Sequence, residues 1–354
     1  MHRVGMPWRA GAWLVAAALL SPGTAASAEV REYALAGRIA GTGGAWDYAV
    51  VDNYDSRLYL AQQGVTALDL KTGELTTGLL KGNITHGVAA LGDGSVAVDD
   101  AVTKSITVFK GASGEVLATI PTAPENPVNG LHALDALVLE PRTGLLVAIN
   151  AESGTVVLAD VKRQSVVGTL KVDGKPEYAA ANAAGIVYIN VEKNDAAEIV
   201  AVDVLARKLV AHIPLHGCEG PTGIAYDRLA DLLMSVCENG IVEFVRARNG
   251  EEVASLGVGK GADAVMFDSR RRRAFVASPE QGTLSIIAVR SATDIAMIQT
   301  LPTQRGTRLG AVDCATGKVY LPAARFGPAV PSGPYPRVLP GTFAILIVIP
   351  INAT

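Results

Sequence analysis

The fold is indicated by GAWDYAVVDNYDSRLYLA, residues 44–61, because the pattern of this segment returns along the chain. It joins a turn of small residues, a short apolar run, an acidic turn and a second apolar run. HGVAALGDGSVAVDD at 86–100 and LDALVLEPRTGLLVAIN at 134–150 repeat it, and the chain holds seven copies in all, at intervals of about 39 to 49 residues. Each copy continues through further β-patterned runs. This period is typical of four-stranded blades, so the sequence predicts an all-β, seven-bladed β-propeller with antiparallel blades.

The seventh copy lacks a fourth strand. It offers apolar runs at residues 309–312, 318–321 and 343–349, with a proline-rich loop at 327–340. Segment 32–39, ahead of the first copy, is also β-patterned and belongs to no blade. We predict that it completes the last blade as the outer strand, because this closure removes the exposed edges of an open ring.

The N-terminus has the features of a secretory signal peptide. Two arginines precede the apolar run 10–20, and Ala-Ser-Ala at 26–28 offers small residues for cleavage. We predict cleavage near Ala28, a single propeller domain over residues 29–354, and a periplasmic or secreted location. The apolar run is too short to span a bilayer comfortably, so no membrane span is expected.

The net charge and the absence of known motifs argue against nucleic-acid binding and against several classes of enzyme. The formal net charge of −3 gives no reason to expect a nucleic-acid partner. The run of arginines at 270–273 falls in a hairpin of the sixth copy, where a solvated turn is the favoured interpretation. Phosphate loops, dinucleotide fingerprints, nucleophile elbows and zincin helices are missing from the sequence. We expect a monomer.

Two of the three cysteines fall in the fifth copy. Cys218 precedes its first strand, and Cys237 ends its second. In an antiparallel pair the start of one strand lies beside the end of the next, so these sulfurs can be neighbours. An oxidising compartment would allow a disulfide, although a reduced pair is the alternative. Cys314 is left over.

One position in each copy defines a candidate site. It is the residue that opens the innermost strand, and most of these residues are ionisable. Because the innermost strands surround the axis and begin on one face, these residues should form a ring at the mouth of the channel. The ring residues are Asp47, His86, Asp135, Glu177, Thr222, Asp263 and Arg308.

The residue types of the ring suggest several kinds of chemistry. Carboxylates with an imidazole are suitable ligands for a divalent metal ion, the one candidate cofactor. The candidate metal ligands are Asp47, His86, Asp135, Glu177 and Asp263. The candidate catalytic residues are His86 for proton transfer, Glu177 as a general acid or base, and Arg308 as a clamp for a carboxylate. The candidate ligand-binding residues are Trp46, Asp47, His132, Asp135, Thr222 and Asp263. The alternative is that the ring only holds the blades together through hydrogen bonds.

Longer phrases of the sequence resemble a known family. They are GAWDY (44–48), THGVA (85–89), GKPEYAAANAAGIVYIN (174–190), CEGPTGIAYDRLADLLMSVCENG (218–240), GADAVMFD (261–268), PTQRGTR (302–308) and PGTFAILIV (340–348). In this order they resemble the YncE-like, YVTN-repeat β-propellers exported by bacteria. The resemblance covers nearly all of the mature chain and implies the propeller fold, but it implies no particular activity.

The function favoured by the sequence is binding of a small ligand or a protein partner at the mouth of the central funnel. One alternative is a metal-assisted lyase or lactone hydrolase that uses the acidic and histidine ring. The other is an interaction scaffold without chemistry, which would dock through the loop at 327–340.

Overall fold

The predicted fold is confirmed by a computed structural model that describes residues 32–122, 134–194, 196–328 and 337–351. Within these ranges, 28 strands form seven four-stranded antiparallel sheets. In the same ranges no helix has the length and apolar character needed to cross a membrane. The predicted signal peptide and its cleavage point at Ala28, as well as His132, lie outside the described residues.

The strands are numbered in chain order, and each blade is given from the axis outward. Blade one consists of β2 (Ala49–Asp52), β3 (Arg57–Ala61), β4 (Gly64–Asp69) and β5 (Leu75–Lys81). Blade two consists of β6 (Val88–Ala90), β7 (Ser95–Asp100), β8 (Ser105–Lys110) and β9 (Val116–Pro121). Blade three consists of β10 (Ala136–Glu140), β11 (Leu145–Asn150), β12 (Thr155–Asp160) and β13 (Ser165–Lys171). Blade four consists of β14 (Lys175–Ala181), β15 (Ile186–Glu192), β16 (Ala197–Asp203) and β17 (Lys208–Leu215). Blade five consists of β18 (Pro221–Asp227), β19 (Leu232–Cys237), β20 (Ile241–Arg246) and β21 (Glu252–Gly257). Blade six consists of β22 (Ala264–Asp268), β23 (Arg273–Ser278), β24 (Thr283–Ser291) and β25 (Asp294–Pro302). Blade seven consists of β26 (Ala311–Asp313), β27 (Lys318–Ala323), β28 (Ala344–Pro350) and β1 (Tyr33–Ala40).

The last blade closes the ring as the sequence predicts. β1 pairs antiparallel with β28, with Tyr33 opposite Pro350 and Ala40 opposite Ala344. The innermost strands contact one another in the order β2, β6, β10, β14, β18, β22 and β26, and β26 contacts β2 again. The strands of this blade are displaced from the predicted runs by one or two residues at most ends, because turn signals mark strand ends only loosely.

The apolar core lies between the blades rather than inside them. Successive residues of a strand point to opposite faces of its sheet. In β3, Leu58 and Leu60 therefore pack against blade seven, while Tyr59 and Ala61 pack against blade two. A cluster of this kind fills each of the seven junctions between neighbouring blades in the described residues.

Two glycines let the innermost strands approach each other closely. A Cβ atom on Gly223 would lie 2.7 Å from the Cα atom of Ala264 in the next blade. A Cβ atom on Gly87 would lie 2.3 Å from the backbone nitrogen of Leu137. Larger residues would push the strands apart and widen the ring on which the candidate site depends.

The predicted disulfide is confirmed. Cys218 and Cys237 are bonded, and their Cα atoms are 5.4 Å apart. The register explains the pairing, since Cys237 at the end of β19 lies opposite Pro221 at the start of β18. Cys314 is a free, partly buried cysteine.

The run of arginines joins blade six to its neighbours on the face opposite the ring. Three of the four form ion pairs: Arg271–Asp268, Arg272–Asp227 and Arg273–Glu32. Their side chains are only 29%, 18% and 17% exposed. The expectation of a solvated turn is therefore wrong for these three residues, because carboxylates of adjacent strands and blades bind them.

Candidate functional site

The seven predicted ring residues all lie at the starts of the innermost strands. Two of them, Glu177 and Thr222, lie inside β14 and β18. The other five precede their strands by one to three residues: Asp47, His86, Asp135, Asp263 and Arg308. The closed order of the innermost strands brings these remote positions to one face of the propeller.

Arg308 links two acidic members of the ring. Its Nη1 donates to Asp263 Oδ2 at 3.3 Å, and its Nη2 lies 3.9 Å from Asp47 Oδ2. The same Nη2 donates to the backbone oxygen of Trp46 at 3.2 Å. Burial raises the pKa of Asp263 to about 6, although the positive charge of Arg308 opposes this shift.

His86 forms a second contact with Asp47. Its Nδ1 lies 2.7 Å from Asp47 Oδ2, which assigns the ring proton to Nδ1 when the imidazole is neutral. Burial opposes the charged form, but the hydrogen bond and charge of Asp47 raise the pKa of His86 overall. An imidazole held in this way by a carboxylate can accept a proton at Nε2.

A fully buried carboxylate lies behind His86. The backbone N–H groups of His86 and Gly87 donate to the two oxygens of Asp99 at 2.7 and 2.8 Å. Burial is the largest influence on Asp99, and it raises the pKa of this carboxyl to about 7 despite both hydrogen bonds. Asp99 was not among the predicted residues, because its alternating strand position resembles that of an ordinary polar residue.

Stability is expected to fall as Asp99 ionises. Its folded pKa of about 7 exceeds the ordinary value of 3.8, so the folded state holds this proton more tightly than the unfolded chain. The resulting stabilisation is complete below the unfolded pKa of 3.8, and it is lost as pH rises through the folded pKa of about 7. Asp99 should therefore lower the free energy of unfolding by about 2–3 kcal/mol between about pH 5 and about pH 8. Urea denaturation at intervals of pH measures this slope.

Asp99→Asn should make that profile less steep, because the amide does not titrate, and the slope that remains comes from other carboxyls of raised pKa such as Asp263. Asp69→Asn is the matched control: backbone hydrogen bonds from Thr72 and Lys71 lower the pKa of Asp69, so it titrates below this range. An Asp99→Asn profile as steep as that of the wild type would contradict the assignment.

Glu177 belongs to a separate group of charges on blade four. Lys175 Nζ lies 2.5 Å from Glu177 Oε1 and 3.8 Å from Glu192 Oε2. Burial raises the pKa of Glu177, although Lys175 opposes the shift. Lys175 and Glu192 were missed, yet the sequence held a signal: Lys175 shares a strand face with Glu177, and hairpin register places it opposite Glu192.

Two further ring residues make contacts within the fold. Asp135 accepts a hydrogen bond from the backbone N–H of Ala151 at 3.0 Å, and burial raises the pKa of its carboxyl. The Thr222 hydroxyl lies 3.0 Å from the backbone oxygen of Ala262, which belongs to the next blade. The alternative interpretation, in which ring residues connect blades, therefore describes Thr222 well.

A pair of tyrosines crosses the channel beneath the ring. Tyr48 and Tyr178 stack with their ring centroids 4.2 Å apart and their planes at 20°. Tyr48 immediately precedes β2 of blade one, and Tyr178 lies within β14 of blade four. Because these two blades are not neighbours, the pair spans the axis. Burial raises the pKa of Tyr178 to about 12 and the pKa of Tyr48 well above its ordinary value, so both hydroxyls stay neutral. On the far side of this pair lies a mainly apolar cavity of about 210 Å³.

A larger cavity of about 450 Å³ opens at the ring, and we call it the mouth cavity. Its lining includes four ring residues, Glu177, Thr222, Asp263 and Arg308. Trp46 also lines it and packs on Phe326 and Phe343, with centroids 5.9 and 5.4 Å away. Asp47, His86 and Asp135 are not part of this lining, so the predicted ring is divided between the cavity and the remainder of the rim.

Two lining residues gave no usable signal in the sequence. Glu238 follows β19 in a turn of blade five, where a glutamate is unremarkable. Phe326 lies in the loop between β27 and β28, and its place depends on a bridge to Val338. Neither position belongs to the repeated pattern that revealed the ring.

The five candidate metal ligands are not gathered in one group in the described part of the chain. There, no group of three or more His, Cys, Asp or Glu side chains is arranged to hold a metal ion. Most of these ligands are already engaged: Asp47 and His86 contact each other, Asp263 contacts Arg308, Glu177 contacts Lys175, and Asp135 accepts from a backbone amide.

Comparison with known proteins supports the fold alone. No protein-family model matches the chain, and no curated protein does. Hydrazine synthase of Kuenenia stuttgartiensis is similar in structure, with a TM-score of 0.66, 13% identity, and coverage of 80% of this chain and 92% of that chain. A chain of the mitotic checkpoint complex is similar with a TM-score of 0.69 and 13% identity, and the match covers 94% of this chain and 98% of that chain. The RRP9 WD40 repeats are similar with a TM-score of 0.70 and 12% identity, and the match covers 90% of this chain and 97% of that chain. At such low identity these likenesses show a β-propeller and carry no activity over to this chain.

Proposed function

We propose that this chain is an exported β-propeller that binds a small molecule in the mouth cavity. The observation that carries the proposal is the cavity itself. Its volume of about 450 Å³ lies within the range of about 300–1,000 Å³ found for small-molecule sites. It also combines an aromatic wall at Trp46 with a few charged side chains, which is the usual composition of such sites.

The floor of the channel supports binding rather than passage. Tyr48 and Tyr178 stack across the axis below the ring. A molecule that enters the mouth would therefore rest against the charged rim. A concave site of this size suits a small molecule better than the flat surface of a folded protein.

Two further parts of the proposal rest on sequence and chemistry. The ordered phrases from residues 44 to 348 support membership of the YncE-like, YVTN-repeat family. The Cys218–Cys237 disulfide suits an oxidising compartment, which supports export to the periplasm or beyond after cleavage near Ala28. We keep the expectation of a monomer without a nucleic-acid partner.

Blocking the mouth cavity tests the function. Ala45 is exposed and lines the cavity, so Ala45→Trp should fill the opening without disturbing the core. Fragments that bind the wild type should bind this variant about tenfold more weakly or worse. Ligand-observed NMR with a diverse fragment library, followed by titration of each hit, measures the change.

The matched control places the same bulk elsewhere. Ala206 is exposed in a hairpin of blade four on the opposite face, and Ala206→Trp should leave every affinity unchanged. Fragments that bind both variants as tightly as the wild type would place the binding elsewhere. A wild type that binds no fragment at millimolar concentration would also overturn the proposal.

A further inference from the structure

The charges that line the mouth cavity do not balance. Four carboxylates face two cations: Glu177, Glu192, Glu238 and Asp263 against Lys175 and Arg308. Both cations are already engaged by acids, since Arg308 contacts Asp263, and Lys175 contacts Glu177 and Glu192. An excess of negative charge therefore surrounds the space that a ligand would fill.

Glu238 carries part of this excess. It lines the cavity, and its side chain is exposed to solvent. After burial and the opposing charge of Arg308, repulsion from Asp47, Glu177 and Glu238 contributes to the raised pKa of Asp263. A positive charge placed among these carboxylates would relieve that repulsion.

The spacing of the carboxylates favours a large cation over a metal ion. In the described part of the chain they do not come together as a group that could hold a metal. The cavity is nevertheless wide enough for an organic molecule, and its wall includes Trp46 and Phe326. Aromatic faces attract cations and accept apolar groups, so this wall suits the body of an organic cation as well as its charge.

We propose that the ligand of the mouth cavity is a small organic cation, an ammonium group attached to an apolar body. This inference rests on the proposed function of the cavity and adds the class of ligand. The ammonium group lies near Glu177, Glu238 and Asp263, and the apolar body lies against Trp46. An anionic ligand is disfavoured because it would have to displace Asp263 from Arg308 and enter a negative field.

Three probes of similar shape test the class: 2-phenylethylamine, 2-phenylethanol and 3-phenylpropionate. In calorimetric titrations of the mature chain at about pH 7.5, the amine should bind about tenfold or more tightly than the alcohol, and the carboxylate should give no measurable binding. At about pH 5 the amine should bind more weakly, because Asp263, with its pKa of about 6, is then largely protonated.

A charge variant locates the ammonium group. Glu238→Gln should weaken amine binding several-fold and leave the alcohol unchanged. Glu74→Gln removes the same charge from an exposed hairpin on the opposite face, and it should change neither affinity.

The outcomes separate the ligand class from the function. If the carboxylate or the alcohol bound as tightly as the amine, the proposed class of ligand would be overturned. If Ala45→Trp abolished that binding, the cavity would remain the binding site. Amine binding that Ala45→Trp does not weaken would overturn the class, because the amine would then bind outside the mouth cavity, and the fragment screen would decide the function. Absence of amine binding would overturn the class, while the fragment screen would still decide the function.

Discussion

A chain that begins at Thr42 is expected to lose the cooperative unfolding transition that a chain beginning at Glu29 shows. The missing segment contains β1, the outer strand of blade seven, which pairs with β28 along its length. Without it, β28 becomes an edge with unpaired backbone groups and an apolar sequence, AILIVIP. Such an edge promotes association with other chains, so the shorter chain should aggregate.

Contacts with blade six increase the expected effect. The Gln299 side chain accepts from the backbone N–H groups of Glu32 and Tyr33, both at 2.9 Å, and donates to the backbone oxygen of Tyr33 at 2.8 Å. Tyr33 is 2% exposed and meets Phe275 edge to face at 5.1 Å. Losing the pairing, this buried ring and these hydrogen bonds should remove much of the total stability, which is about 5–15 kcal/mol for a typical protein.

Urea denaturation followed by fluorescence, together with size-exclusion chromatography, measures the outcome. The chain beginning at Glu29 is the control, since it lacks the predicted signal peptide but keeps β1. A synthetic peptide of residues 29–41 should restore the transition to the shorter chain by strand addition. A shorter chain that is monomeric and unfolds at the same urea concentration would show that β1 does not close the ring.

Much of the fold could be predicted because the signals are local and repeated. Turn residues and apolar alternation recur in every blade, so an error in one copy is corrected by the others. The position of β1 followed from counting strands in the last blade, where segment 32–39 was the one β-patterned run without a partner. The pairing of Cys218 with Cys237 followed from hairpin register.

The pairing of side chains around the ring was harder to predict. Alignment of the copies placed Asp47 and His86 at equivalent positions, but it contained no information on their 2.7 Å contact. Rotamer choice and the distance between blades set that contact. Glu177 was assigned to the same ring, yet its nearest partner is Lys175 on its own strand. Long-range packing, not the repeat, also places Phe326 beside Trp46.

Arg272→Ala is expected to lower the free energy of unfolding by about 3–5 kcal/mol. Both guanidinium nitrogens Nη1 and Nη2 lie 2.5 Å from the oxygens of Asp227, which joins blade six to blade five. The Asp227 side chain is 1% exposed, so it would remain as a buried charge without its partner. Arg272 also lies 5.4 Å from the ring centroid of Phe267, a contact that the alanine would lose.

Arg270→Ala is the matched control for this prediction. Arg270 is the first arginine of the same run, it is exposed, and its backbone N–H makes the hydrogen bond to Asp268 that survives the substitution. Its effect should stay within about 0.5 kcal/mol, as for most surface positions. Equal losses in the two variants, measured by urea denaturation, would contradict a specific role for Arg272.

A double variant separates the buried charge from the lost contact. If most of the cost comes from Asp227 being left unpaired, then Asp227→Asn in the Arg272→Ala background should recover part of the loss. The asparagine oxygen can still accept the hydrogen bond that Asp227 Oδ1 takes from the backbone N–H of Leu229 at 3.0 Å. If the double variant were no more stable than Arg272→Ala alone, the cost would lie in packing against Phe267. The arginine would then stabilise the junction of blades five and six mainly through its planar, apolar surface.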